Sequence, residues 1–540
     1  MQDSGNEEMG WSAQSGVGVV AAGGQAAVEA GIEILSSGGT AADAAAATIL
    51  ALTITDHLLC SIGGEVPLIA YDSRKKEVEV LSGQGRAPLS QAAIDWYMKN
   101  GIPGGGDIKM APVPSVVDLC VTALIRHGTK TFEEIVAPTL LLLDSGTEDW
   151  HPALASTLRK LVEQEQHGNG SREENLKAAS DRFYGRNAYR DDIATDLEAF
   201  YVEKGGFLRK RDLAAHVTLV EAPVTIDYKG YTVCKCGPWT QGPSLCQALR
   251  LLEHYDLRAM GHFSADYVHV VIEAIKLAMA DRDEYYGDPE FVDVPLAELL
   301  SDEYSEIRRP LIDMRRASLE VRPGDPLGMA PLKGGGVIRP GSGGTTTCVV
   351  ADRWGNVVTA TPSANVNADF VDGGRAGVTY GNRLLSLNTT PGHPNCIEAG
   401  KRPRITLTPT LVLKDGEPIL AMSVAGADLQ DQTSLNLLLN FVEFSMLPDR
   451  AVTAPRFATA HLQDSFDPAP ERTEAFMKAG SLRVAASVDA NVRKELARRG
   501  HQISVSEPPI SSPVMLYIDQ EKRTLYAAGD PKAGRHAAGL

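Results

Sequence analysis

The stretch Gly343-Gly344-Thr345-Thr346-Thr347 sets a glycine-rich approach directly against a run of hydroxyl side chains. A threonine hydroxyl is a poor nucleophile unless a base stands beside it. A free α-amino group on the same residue meets that need, because its ordinary pKa of about 7.7–8.0 suits proton transfer near neutral pH. Freeing that amine requires scission between Gly344 and Thr345. The uncluttered carbonyl of Gly344 would let the Thr345 hydroxyl attack it, shift the chain from N to O, and leave the ester to water. Two other readings compete. A glycine linker entering a threonine-rich strand is a common structural arrangement. Gly336, Gly341 and Ser342 also fall near phosphate-loop spacing, but that motif needs lysine where Ser342 stands and a helix where a strand is expected, so it fails.

The elements around this stretch can be read from pattern. Residues 333–344 hold six glycines and a proline and read as a flexible linker. Beyond it the chain turns strand-rich. Runs at 346–351 and 357–361 flank Arg353-Trp354-Gly355-Asn356, and runs at 410–413 and 419–424 flank Lys414-Asp415-Gly416-Glu417. A helix is expected over about 431–444 and a last hairpin at 514–518 and 524–528. Towards the start, Val28, Ile32 and Leu35 mark a helix over 26–35 that stops at Gly38-Gly39. Thr40 then caps a second helix, with Asp43 placed as in a capping box, and its alanine content predicts close packing within a layer. Residues 66–82 read as two strands around a turn at 72–76. Residues 112–330 read as mostly helical, including a helix from Ser264 to about 281, with short strand runs at 224–228 and 231–233. Strand pairs beside helical blocks predict stacked helix and sheet layers.

With 43% hydrophobic and 22% charged residues, the 540-residue chain has a globular composition. A net charge of −17 argues against a nucleic-acid partner and against coating an anionic membrane. The apolar run at 44–54 is too short to span a bilayer. The opening Met1-Gln2-Asp3-Ser4-Gly5-Asn6-Glu7-Glu8 is acidic where a secretory signal would be basic and then apolar. Seven scattered cysteines fit a reducing compartment, so a cytoplasmic location is expected. Cys234-Lys235-Cys236 lacks a second cysteine pair, and His262 and His269 lack ligand company in the sequence. Neither metal nor cofactor is expected.

Five motifs in chain order resemble the γ-glutamyltransferase family: Ser37-Gly38-Gly39-Thr40-Ala41-Ala42-Asp43, Ala280 through Phe291, Thr345-Thr346 through Asp352 with Gly355-Asn356, Lys401-Arg402-Pro403, and Ala454-Pro455-Arg456-Phe457. The resemblance implies an α+β fold, the four-layer αββα sandwich of the N-terminal-nucleophile hydrolases. It also implies a precursor clipped before Thr345 into a 1–344 large subunit and a 345–540 small subunit that stay together. Thr345 becomes the nucleophile, Ser363 the second hydroxyl (threonine in the family pattern), and Asn365 a substrate contact. Ala425 and Gly426 fall on the glycine pair lining the oxyanion hole.

The family's grip on a glutamate head is rewritten. Its arginine falls on Gln84, with Arg86 two residues away, and its acidic residue falls on Ser386. A glutamine becomes Arg383, and Ile405 beside Thr406 replaces one serine of a pair. Arg383 and Arg404 could together hold a substrate carboxylate, or serve the structure alone. The segment from Asn382 through Pro391-Gly392-His393-Pro394-Asn395 resembles the branch that includes oxamate amidohydrolases and cephalosporin acylases. The expected activity is hydrolysis of a small, non-γ-glutamyl amide. The alternatives are a glutathione hydrolase or γ-glutamyltransferase that uses Arg86, and a non-catalytic scaffold.

Overall fold

The computed structural model describes residues 10–104, 106–187, 191–333, 345–364 and 373–540. Two seven-stranded antiparallel sheets form its centre. One runs in the order Ser12–Ser15, Thr524–Gly529, Ser512–Asp519, Glu417–Ala425, Thr410–Lys414, Tyr231–Lys235, Val224–Tyr228. The other runs His536–Gly539, Val19–Ala22, Cys348–Ala351, Val357–Ala360, Val66–Asp72, Glu77–Gly83, Leu219–Glu221.

The two-residue period of a strand sorts their side chains. Val19, Ala21, Val349 and Ala351 meet Leu411, Ala421, Val514 and Leu516 in a core between the sheets. Their neighbours Val20, Ala22, Cys348 and Val350 pack outward onto helices that include Gln25–Ser36 and Ala41–Thr55. On the far side Leu420, Met422 and Val424 pack onto Pro243–Leu252, Ala265–Tyr285 and Gln430–Val442. The result is the expected αββα sandwich. A small third sheet runs in the order Phe457–Ala458, Ser481–Ala485, Gln502–Ser506.

Local chemistry explains the helix nearest the site. Thr40 and Asp43 form a reciprocal capping box at the start of Ala41–Thr55, and the Asp43 carboxylate also accepts from the Thr129 backbone N–H at 3.0 Å. The helix is apolar nearly all round, as a helix enclosed on every side must be. Its close neighbour approaches at Gly31, where a Cβ would lie 2.4 Å from Thr48 Oγ1.

Strands from before and after position 344 enter both sheets, so the two predicted segments share one fold. The strand expected over 346–351 begins at Cys348, the helix expected to end near 281 continues to Tyr285, and the helix expected from 431 begins at Gln430. Ser12–Ser15, Val19–Ala22 and His536–Gly539 are strands that pattern reading left unassigned.

Candidate active site

Thr345 lies at the mouth of the Cys348–Ala351 strand and is only 3% exposed. Its neighbour is pinned twice: the Thr346 backbone N–H donates to the Pro362 carbonyl at 3.0 Å, and the Thr346 hydroxyl bonds the carboxylate of Asp56, the residue whose backbone N–H closes the Ala41–Thr55 helix on the Leu52 carbonyl. Gly23 leaves room for that contact, since a Cβ there would overlap Asp56.

The Thr345 hydroxyl donates to Ser363 Oγ at 3.4 Å. Ser363 is held by its backbone, which exchanges hydrogen bonds with Glu65 at 2.8 and 2.9 Å. Its hydroxyl accepts from Arg383 Nη2 at 2.8 Å, while Arg383 Nε donates to Glu65 Oε1 at 2.6 Å. Glu65 and Arg383 are fully buried, and burial raises the Glu65 carboxyl while Arg383 pulls it back down. Among the described residues Arg383 Nη1 and Glu65 Oε2 have no hydrogen-bond partner. Arg383 also stacks over Phe466, 5.1 Å from its ring centroid. Gly63 and Gly64 permit this convergence: a Cβ on Gly64 would lie 2.1 Å from the Ser363 carbonyl oxygen, and one on Gly63 2.2 Å from that of Thr379.

Gln430 closes the group. The Gln430 amide satisfies its surroundings with its nitrogen toward the carbonyls of Val424 (3.1 Å) and Thr406 (3.0 Å). Its other end then faces Thr345 Oγ1 at 3.4 Å and Thr406 Oγ1 at 3.5 Å. One side chain thus links Thr345 to the end of the Glu417–Ala425 strand. There Ala425 closes the strand and Gly426 adopts φ +151°, with Ser511 Cβ only 2.8 Å from where a side chain would start.

Of the residues singled out from sequence, Thr345, Ser363, Arg383 and Thr406 fall together, with Ala425 and Gly426 beside them. Gly344 and Asn365 lie outside the described residues. Arg86 is engaged elsewhere: it pairs with Glu290 and donates to the Gly400 carbonyl at 3.1 Å. Arg404 pairs with Asp283 at 3.4 Å and donates to the Arg282 carbonyl at 3.1 Å, and burial lowers its guanidinium to about 10. The two candidate carboxylate-binding arginines therefore each already face an acid. Gln84 and Ser386 are buried and bring no charge. His393 binds Asn388 and the Asn395 N–H, both at 3.0 Å, in a structural role. Trp239 is buried and donates to Glu221, a packing position.

Sequence reading missed Glu65 and Gln430. Gly63-Gly64-Glu65 carried a signal, a glycine pair followed by an acid at the entrance to an apolar strand. Gln430 carried none, because Thr345 and Thr406, the partners that place it in the site, lie 85 and 24 positions away. The structure also gives His269 company: His269, Glu273 and His501 form the one grouping with metal-like spacing among the described residues. Lys276 and Arg322 both pair with Glu273, so the cluster already has its cations.

The family model described as gamma-glutamyltranspeptidase matches residues 27–172 and 149–540. The chain is 28% identical over 531 residues to the glutathione hydrolase proenzyme of Bacillus subtilis (strain 168), covering 92% of this chain and 87% of that one. It is 28% identical over 498 residues to the acylase ACY 1 proenzyme of Pseudomonas sp. (strain SE83), covering 85% and 82%. The solved structure of LmbA2991HD superposes with a TM-score of 0.84 at 32% identity and full coverage of both chains.

Proposed function

The chain belongs to the gamma-glutamyltranspeptidase family, and from that premise we propose that Thr345 is the nucleophile of an amidohydrolase whose substrates lack a γ-glutamyl head. It is an autoprocessed amide-bond hydrolase of that family. The observation that carries the reading is the pairing of Thr345 with Ser363 and Arg383; Gln84 and Ser386, which the resemblance aligns with the family's glutamate clamp, offer no charges to a zwitterion.

After scission before Thr345, the new α-amine takes the proton from Thr345 Oγ1 as that oxygen attacks the substrate carbonyl carbon. The carbonyl π pair moves onto oxygen, and the oxyanion is received by backbone N–H groups at Ala425 and Gly426, of the kind worth about 2.7–4 kcal/mol each. Collapse breaks the C–N bond, and the protonated α-amine returns its proton to the departing nitrogen. An ester to Thr345 remains. Water, deprotonated by the same amine, attacks that ester and releases the acid, restoring the hydroxyl.

Arg383 Nη1 is the free donor for a polar group on the acyl half, with Thr406 close by through Gln430. Because Glu65 neutralises Arg383, this donor acts by direction more than by net charge. The seven cysteines, all buried free thiols, support a cytoplasmic location. Among the described residues no helix is long and apolar enough to cross a membrane.

Intact-mass measurement of wild type should give fragments ending at Gly344 and starting at Thr345, and Thr345→Ala one chain of 57.8 kDa. The processed enzyme should turn over simple carboxylated amides faster than γ-glutamyl-p-nitroanilide. Efficient γ-glutamyl release, lost in Arg86→Ala, would instead establish the glutathione-hydrolase reading that the curated relative's name favours.

A further inference from the structure

A cavity of about 350 Å³ opens beside Gly426 and is walled by Leu429, Leu462, Phe466 and Met477. Its size falls within the roughly 300–1,000 Å³ typical of ligand sites. Its charged lining residues are Asp428, Asp464 and Arg483. Asp464 is 2% exposed; its Oδ1 accepts from the Phe466 N–H at 2.8 Å, and its Oδ2 has no hydrogen-bond partner among the described residues. A buried carboxylate oxygen without a donor is costly, and such atoms mark places where a ligand completes the set.

The charges nearby are already spoken for. Asp428 bonds Arg282 and accepts from Ser465 Oγ at 2.6 Å. Arg472 pairs with Asp283 at 3.1 Å and reaches only the Asp464 carbonyl, at 3.5 Å. Arg483, on the cavity rim, donates to Ser506 Oγ at 2.7 Å. Burial and then Asp428 push the Asp464 carboxyl up to about 6, Asp467 adds to this and Arg282 opposes it. Above that pH Asp464 is ionised with no ion pair among the described residues, Arg282 opposing its shift without contacting it.

We propose that this cavity is a subsite for a substrate arm carrying a primary ammonium on a short aliphatic stem, anchored by the Asp464 carboxylate. The stem fits the Leu429, Leu462 and Met477 walls, and the ammonium supplies the missing donor to Oδ2. Phe466 carries Arg383 on its ring and lines the cavity, so the ammonium arm lies across that ring from the acyl half. This assignment rests on the reading that the amide is opened at Thr345 beside residues 425–426.

The test uses the processed enzyme, Asp464→Asn, and Met477→Trp, which fills the cavity while leaving the carboxylate in place. Calorimetric titration with n-hexylamine and n-hexanol reads binding without turnover. Hexylamine should bind wild type, bind Asp464→Asn about tenfold or more weakly, and fail with Met477→Trp; hexanol should not distinguish wild type from Asp464→Asn. Two amides sharing one acyl group, with cadaverine or pentylamine as the leaving amine, should separate in KM. Asp464→Asn should raise KM about tenfold for the cadaverine amide alone, with kcat held within about twofold. The wild-type preference should fade as pH drops through about 6. Equal hexylamine binding by wild type and Asp464→Asn, or an unchanged cadaverine-to-pentylamine ratio, would overturn the subsite. If Thr345→Ala still hydrolyses amides, the nucleophile assignment fails, while the titration still decides the cavity.

Discussion

Ser363 stands between the attacking hydroxyl and a buried ion pair, so its hydroxyl orients Thr345 while Arg383 fixes the Ser363 oxygen. Ser363→Ala should lower kcat by about ten- to hundredfold, since small misplacement of a nucleophile is expensive, with KM nearly unchanged in steady-state assays. Glu65 and Arg383 are a pair taken wholly out of water, and such pairs cost most when one member is removed. Arg383→Met should destabilise the chain by about 3–5 kcal/mol in denaturant titrations. The double change Glu65→Gln with Arg383→Met should recover much of that stability and none of the activity. Asp464 runs the other way. Its carboxyl is raised to about 6 in the fold, so the folded state binds a proton more readily than the unfolded chain. Ligand-free stability therefore rises as pH falls from about 6 toward 4, and above 6 the ionised form is a liability. Asp464→Asn should melt higher than wild type at pH 8, and the difference should close near pH 4.

The elements that bring these residues together were legible where their signals are local. The Thr40–Asp43 box, the Lys414–Glu417 turn and the Ser264 cap each sit within a few residues of what they organise. Four-residue strands such as Val19–Ala22 and His536–Gly539 offer too few residues for an alternation to stand out, and in Val19–Ala22 both faces are buried, which erases the polar half of the pattern. The Glu65–Arg383 pair spans 318 positions and the Gln430–Thr345 contact 85, distances over which spacing carries no information. Arg86 and Arg404 show the reverse error: proximity in sequence to a motif did not reveal that Glu290 and Asp283 had claimed them. Gly63-Gly64 is the element-scale feature most open to test. A methyl group on Gly64 would overlap the Ser363 carbonyl, so Gly64→Ala should cost about 1–3 kcal/mol and displace Ser363. Fragment appearance after expression, followed by mass, should slow along with turnover.

At the scale of the molecule, both sheets draw strands from either side of position 344. The clipped product should accordingly run as one particle by size exclusion and as two bands under denaturing conditions, and separation of the fragments without denaturant would contradict the topology. The Cys348–Ala351 strand is hydrogen-bonded on one edge to Val19–Ala22 and on the other to Val357–Ala360. New chain ends ordinarily fray, but the terminus made here would emerge from the interior of a sheet with neighbours on both sides. Its mobility is then tied to that of the whole core. Loss of catalysis in rising urea should trace the same curve as loss of tertiary fluorescence, with no range of concentrations in which a folded enzyme has gone silent.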